Sequence, residues 1–192
     1  CRPQSYYDLA DWRGTWKFDG GVLANQASHH IDMLQWMLGD PISVFAYGKT
    51  SLAAIETEDT AIAVIKFKNG SLGVVEATTA TRPKDLEGSI SLLGEKGSVV
   101  IDGFAVNNMR TWSFSKEEES DKDVLTNFSV NPPNVYGFGH QAYYEHVVES
   151  ILNDGPNLID GFSGRKSIEL ISAIYESMET GRLINMRSYS RQ

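Results

Sequence analysis

Between residues 41 and 114 the apolar residues leave the helical period and either alternate with polar ones or gather in short β-branched runs. That change of period constrains the fold more than any other feature, because alternation puts successive side chains on opposite faces of a strand. The runs are "ISVFAYGKTS", "TAIAVIKFK", "SLGVVEATTAT", "SISLLG", "SVVIDG" and "NNMRTWSF". Asn69-Gly70 separates two of them with the residue pair that a two-residue hairpin favours. "GEKG", Gly94 to Gly97, joins two more. Sequential hairpins make the sheet mainly antiparallel, with about six strands, a usual sheet size.

Helical patterns flank this region. Ala24, Ala27, Ile31, Leu34 and Leu38 recur at spacings of three and four over residues 23–38, and Gly39 and Pro41 then stop the helix. "HQAYYEHVVESILNDG" is expected to bury Tyr144, Val147 and Ile151, and "GRKSIELISAIYESMETG" to bury Ile168, Ile171, Ile174 and Met178 before Gly181. The expected class is α+β, an open and mainly antiparallel sheet with helices packed on one face. Strands as apolar as "AIAVI" leave the other face either solvated or covered by another subunit. Residues 116–138, acidic and then rich in Asn and Pro, read as a solvated loop of a length that sometimes serves as a lid.

Charge and composition remove several function classes. The 17 Lys and Arg against 25 Asp and Glu give a formal charge of −8, which repels phosphate backbones, so no nucleic acid partner is expected. No apolar run reaches the ~18 residues of a bilayer span, and no basic-then-apolar leader opens the chain. The expected location is cytoplasmic, away from membranes. The single cysteine, Cys1, has no internal partner for a disulfide. Beginning at Cys1, the 192 residues read as one domain from a longer polypeptide.

Three motif spellings fail in context. "GFGHQA", Gly137 to Ala142, matches a dinucleotide fingerprint, but "SVNPPNVY" precedes it and two prolines forbid the central strand that such a turn needs. "GFSGRKS", Gly161 to Ser167, lacks the phosphate-loop spacing. "HHID" supplies adjacent histidines that point about 100° apart on a helix, which suits a metal poorly, and His30 reads as a packed residue.

More promising are Asn25, His29 and Asp32, which on a helix through residues 23–38 stand at i, i+4 and i+7 and share a face. An amide that orients a hydroxyl, an imidazole that takes its proton and a carboxylate that holds the imidazole tautomer make a site for deprotonating an alcohol. Asp19-Gly20-Gly21 just upstream leaves room for a ligand or another backbone to approach.

The stretch "GGVLANQASHHIDMLQWMLGD" resembles the helix motif of the glucose-fructose oxidoreductase/inositol dehydrogenase (Gfo/Idh/MocA) family. "LLGEKGSVVID" is similar to that family's sheet hairpin, and "GFSGRKSIELISAIYESMETGR" to its C-terminal helix. The resemblance implies the substrate-binding and oligomerisation domain of a two-domain oxidoreductase, with the Rossmann domain and its NAD or NADP site absent from this chain. It implies that His29 is the base accepting a sugar hydroxyl proton. Asn25 falls where the family more often has Asp, so a carboxylate relay is not available at that position. The Asn form, with "RPQSYYDLADWRGTW", resembles the branch that oxidises the 3-hydroxyl of nucleotide-linked amino-sugar uronates. Arg2 and Arg13, with Lys17, would meet the anionic groups of such a substrate, and Tyr6, Tyr7, Trp12 and Trp16 would stack on sugar or base. A homo-oligomer through the open sheet face is implied as well. The family's catalytic lysine has no counterpart, since Lys96 lies in a hairpin.

Two other readings compete: a non-catalytic oligomerisation or sugar-binding module, and a metal-dependent hydrolase or isomerase built on His29, His30 and Asp32. Because the fingerprint spellings fail, calorimetric titration of this chain with NAD is expected to show no micromolar binding, and a micromolar isotherm would contradict that.

Overall fold

A computed structural model describes residues 1–103, 105–116, 118–132 and 137–186. The chain divides into two compact units, one made of residues 1–86 with the chain from Gly161 onward, the other of residues 87–160.

The first unit begins with a single helical turn, α1 (Gln4–Tyr7), and the helix α2 (Ser28–Leu38). Strands β1 (Pro41–Lys49), β2 (Thr60–Phe67) and β3 (Leu72–Thr78) follow. All six runs expected as strands form strands. β2 and β3 pair antiparallel across Asn69-Gly70, where Gly70 takes a φ of 89° and the Asn69 side-chain oxygen accepts the Ser71 amide at 3.0 Å. The alternation is strict in β2, whose Ala61, Ala63, Ile65 and Phe67 point inward while Ile62 and Val64 point out. The sheet order is β3-β2-β1-β7, the last being a short strand, Ile184–Asn185, that pairs with β1 and that two residues were too few to announce.

Helix α5 (Gly161–Thr180) lies against this sheet and against α2. Its buried positions are Leu170, Ala173, Ile174 and Ser177, the i, i+3, i+4, i+7 stripe of a helix on a core, together with Ile171. Met178 is partly buried as expected, whereas Ile168 is 66% exposed and lies outside the stripe. Ile31 and Leu34 of α2 join the same core. Ser177 anchors the helix to the sheet by donating to the Arg182 carbonyl at 2.7 Å and accepting the Ala46 amide at 3.0 Å.

The second unit holds a three-stranded antiparallel sheet in the order β4-β5-β6, from β4 (Ile90–Gly94), β5 (Gly97–Asp102) and β6 (Asn108–Phe114). The expected single sheet is therefore two, because residues 79–89, "TATRPKDLEGS", contain no strand to continue the ladder. The loop expected over residues 116–138 is partly structured. It contains a 3₁₀ turn (Glu119–Asp121) and the one-turn helix α3 (Val124–Asn127), held to β6 by the Trp112 indole N–H donating to Asp121 at 2.8 Å. Residues 117 and 133–136 lie outside the described residues. Helix α4 (Gly139–Leu152) forms as expected, but Tyr144 and Ile151 are exposed rather than buried, and Val147 is half-buried.

One carboxylate organises the approach to β2. Asp59, 1% exposed, accepts the amides of Ser51 and Leu52 at 2.7 Å and of Ala53 at 3.1 Å, and the Thr60 hydroxyl at 3.0 Å. Burial raises its pKa, but these donors outweigh burial and leave it below the ordinary carboxylate value. Asp59→Ala is expected to lower the unfolding free energy at pH 7 by about 2–3 kcal/mol, the order of a hydrogen-bonded charge. A depressed carboxylate stabilises above its unfolded pKa and loses that contribution as pH falls through its folded one, so the gap should be full above pH ~4 and narrow below it. Urea denaturation of both proteins across pH 2.5–7 measures this; a gap independent of pH would contradict it.

Candidate functional site

Of the residues singled out in the sequence, Asn25, His29 and Asp32 lie on α2 or in the turn just before it. Helix α2 begins at Ser28, not at residue 23, because residues 22–26 form a turn closed by the Ala27 amide on the Val22 carbonyl at 2.8 Å. Asn25 therefore lies on the turn, and the expected i, i+4 stripe from Asn25 to His29 does not exist. The Asn25 amide donates to the Asp19 carboxylate, whose other oxygen accepts the Gly14 amide at 2.7 Å.

His29 stands in the first turn of α2, exposed and stacked on His30 with ring centroids 4.1 Å apart. Desolvation lowers its pKa, which keeps the imidazole neutral and able to accept a proton near pH 7. His30, half-buried, is driven to about 4 by burial and then by His29, and its Nε2 is buried with no hydrogen-bond partner among the described residues. Asp32 does not serve as the carboxylate behind the imidazole; it accepts the Ser167 hydroxyl from α5. No three His, Cys, Asp or Glu side chains come together as a metal-binding group among the described residues.

What fixes this turn is a set of residues that sequence reading missed. Glu58, 3% exposed, accepts the Leu23 amide at 2.9 Å and the Tyr175 hydroxyl at 3.1 Å through one oxygen, while its backbone carbonyl accepts the Val22 amide at 3.0 Å. The Tyr175 oxygen in turn accepts the Gly21 amide at 3.1 Å, and the Thr57 hydroxyl donates to the Gly20 carbonyl at 3.1 Å. Burial raises the pKa of Glu58 against these donors, and raises that of Tyr175. A Cβ on Gly21 would fall 1.9 Å from Glu58 Oε2. The space above Gly21, expected to admit a ligand or a backbone, is filled by the chain's own carboxylate. No local sequence pattern announces a glycine matched to a glutamate 37 positions later.

The substrate-binding candidates divide into two places. Arg13 donates to the Tyr6 carbonyl at 2.7 Å, and its guanidinium lies 4.2 Å from the Tyr6 ring centroid and 5.4 Å from that of Trp12. Arg2 lies 5.0 Å from the same Tyr6 ring and 3.5 Å from the Asp85 carboxylate. Tyr7 is 8% exposed with its hydroxyl 3.1 Å from that of Thr79, so it packs rather than presenting its phenol. Tyr7 and Arg13 line a cavity of about 620 Å³ that also carries Asp8, Asp11 and Glu56. Those three carboxylates disfavour an anionic occupant, and neither His29 nor Asn25 lines the cavity. Trp16 stands apart from this group, 56% exposed, in a T-shaped pair with Tyr175 at 5.2 Å between centroids.

Among the described residues no strand–glycine turn–helix unit of the Rossmann type is present to hold a nicotinamide dinucleotide. Every strand pair among the described residues is antiparallel. "GFSGRKS" lies within the opening turns of α5 rather than in a loop. Residues 129–132, ahead of the "GFGHQA" spelling, form no strand, and the rest of its lead-in falls outside the described residues.

Comparison with known proteins places these elements. The fold matches the WlbA dehydrogenase of Bordetella pertussis, solved with NADH and UDP-GlcNAcA, at a TM-score of 0.91 and 41% identity, over 98% of this chain and 54% of that one. The WlbA enzyme of Chromobacterium violaceum, solved with the same two ligands, matches at 0.88 and 44%, over 98% and 52%. Myo-inositol 2-dehydrogenase of Thermotoga maritima is 22% identical over 175 residues, 88% of this chain and 50% of that protein. The chain spans about half the length of the relatives it matches. The model of the oxidoreductase family's C-terminal alpha/beta domain matches residues 1–186, and the chain belongs to that family, Gfo/Idh/MocA.

Proposed function

We propose that this chain is the substrate-binding and proton-accepting half of an NAD(P)-dependent dehydrogenase that oxidises a sugar hydroxyl. The substrate class proposed is a nucleotide-linked amino-sugar uronate, oxidised at its 3-hydroxyl. The observation that carries the reading is His29: exposed, biased to the neutral form, and set at the head of a helix whose preceding turn is held at the Gly21 and Leu23 amides. Similarity at 41% and 44% identity to two enzymes crystallised with NADH and UDP-GlcNAcA supports the substrate class.

In this reading His29 accepts the proton of the hydroxyl as it is oxidised. Asn25 enters differently from its sequence-based role. With its NH₂ group on Asp19, its carbonyl oxygen is the atom left to accept a hydrogen bond from sugar. Trp16 offers an exposed aromatic face for the sugar or base, whereas Arg2 lies against Asp85 and Arg13 lines a cavity with three carboxylates, so neither is proposed to hold the anionic groups. The dinucleotide, and the lysine that the family carries beside it, belong to the other half of the longer protein. The outward face of the first unit's sheet supports self-association, since Tyr47, Ile62, Val64, Leu72 and Val74 are each at least half exposed there.

His29→Ala in the full-length enzyme is expected to lower kcat by ~10² or more with its melting temperature little changed, as for loss of a general base. Unchanged kcat with a lowered melting temperature would instead mark His29 as a packing residue. For the wild type, kcat should fall on the acid side as His29 protonates, with the midpoint below the ordinary imidazole value of 6.5. A pH–rate profile with that limb at or above 6.5 would contradict this assignment.

A further inference from the structure

We propose that Tyr175, backed by Glu58, is a positioning residue that fixes the turn presenting His29 and joins it to the Trp16 ring. The proposal rests on the dehydrogenase reading above and deepens it.

Tyr175 lies on α5 and is 154 positions from the amide that it receives at Gly21. Its hydroxyl works in both directions, accepting the Gly21 N–H and donating to Glu58 Oε1, both at 3.1 Å. Glu58 Oε1 also takes the Leu23 N–H, so residues 21 and 23 are bonded to the same hydroxyl–carboxylate pair. Between them Val22 donates to the Glu58 backbone carbonyl, and the Thr57 hydroxyl meets the Gly20 carbonyl. Four consecutive residues, 20 to 23, are thus held from residues 57, 58 and 175.

The hold passes to the helix through the backbone. The Val22 carbonyl accepts the Ala27 amide, and the Ala27 carbonyl accepts the amides of His30 and Ile31, with His29 inside that first turn. Displacing Gly21 or Leu23 therefore moves the start of α2 and the imidazole with it. Rate is sensitive to such shifts, since displacement by about 1 Å can cost ~10²-fold.

The ring of Tyr175 does separate work. It packs against that of Trp16, 5.2 Å between centroids and 80° between planes, a contact that Phe retains and Leu does not. Gly21 completes the device, because any Cβ there would collide with the carboxylate.

The test uses the full-length dehydrogenase, with kcat normalised to the folded fraction given by far-ultraviolet circular dichroism. Tyr175→Phe keeps the ring and removes the hydroxyl; kcat is expected to fall about tenfold while KM for the sugar stays within about twofold. Tyr175→Leu removes both and should raise KM as well. Glu58→Gln retains an oxygen for the Leu23 and Tyr175 donors and should keep about a third or more of kcat, whereas Glu58→Ala should lose about as much as Tyr175→Phe. Wild-type kcat per folded molecule in Tyr175→Phe overturns the proposal, as does equal kcat in the two Glu58 variants. Should Tyr175→Phe not fold, the Glu58 pair decides. His29→Ala is measured beside them. A full rate in that variant defeats the dehydrogenase reading itself, whereas a collapsed rate there with normal Tyr175 and Glu58 variants defeats only the positioning role.

Discussion

The arrangement of the first unit depends on one buried carboxylate seated against one glycine. Glu58 lies where a Gly21 side chain would be, with one oxygen saturated by the Leu23 amide and the Tyr175 hydroxyl. Burying a carboxylate is costly unless donors meet it, and here those donors are the turn that leads into α2 and a residue of α5. The burial cost thus becomes a constraint on geometry. The start of β2, the turn before α2 and the middle of α5 must be in register for Oε1 of Glu58 to meet both donors. Asp59, next in sequence, imposes a second constraint of the same kind on residues 51–53, so two adjacent acids organise both chain segments that approach β2.

This architecture assigns different work to the two faces of the four-stranded sheet. The inner face, with Val44, Ala46, Ala63 and Phe67, is closed by α2 and α5, and that packing gives the His29 helix a rigid support. Sites carried on packed helices hold their geometry better than sites on loops. The outer face presents Tyr47, Ile62, Val64, Leu72 and Val74, each at least half exposed.

Much of the fold was legible because it rests on local pattern. Period-two runs gave all six long strands, and Asn69-Gly70 gave a hairpin, since a turn's backbone demands are met by the residues within it. The α5 stripe was read nearly in register, with Ile168 misplaced. What escaped was set by tertiary partners. Residues 23–27 carry a helical pattern but form a turn, because Glu58 and Tyr175 capture the amides of Leu23 and Gly21. Tyr144 and Ile151 of α4 were expected inside because periodicity identifies an apolar stripe without saying what covers it. At the candidate site, His29 was singled out from residue type and family resemblance. Glu58 and Tyr175 were not, since nothing near either residue marks a bond that spans 35 or 154 positions.

The account turns on His29 meeting the hydroxyl that is oxidised. A crystal structure of the full-length protein with NADH and a UDP-linked amino-sugar uronate tests this most directly. The prediction is an imidazole nitrogen of His29 about 2.6–3.2 Å from the sugar 3-hydroxyl, with Asn25 within reach of the same sugar. A 3-hydroxyl bound to other groups, with His29 facing solvent or a subunit interface, would contradict it.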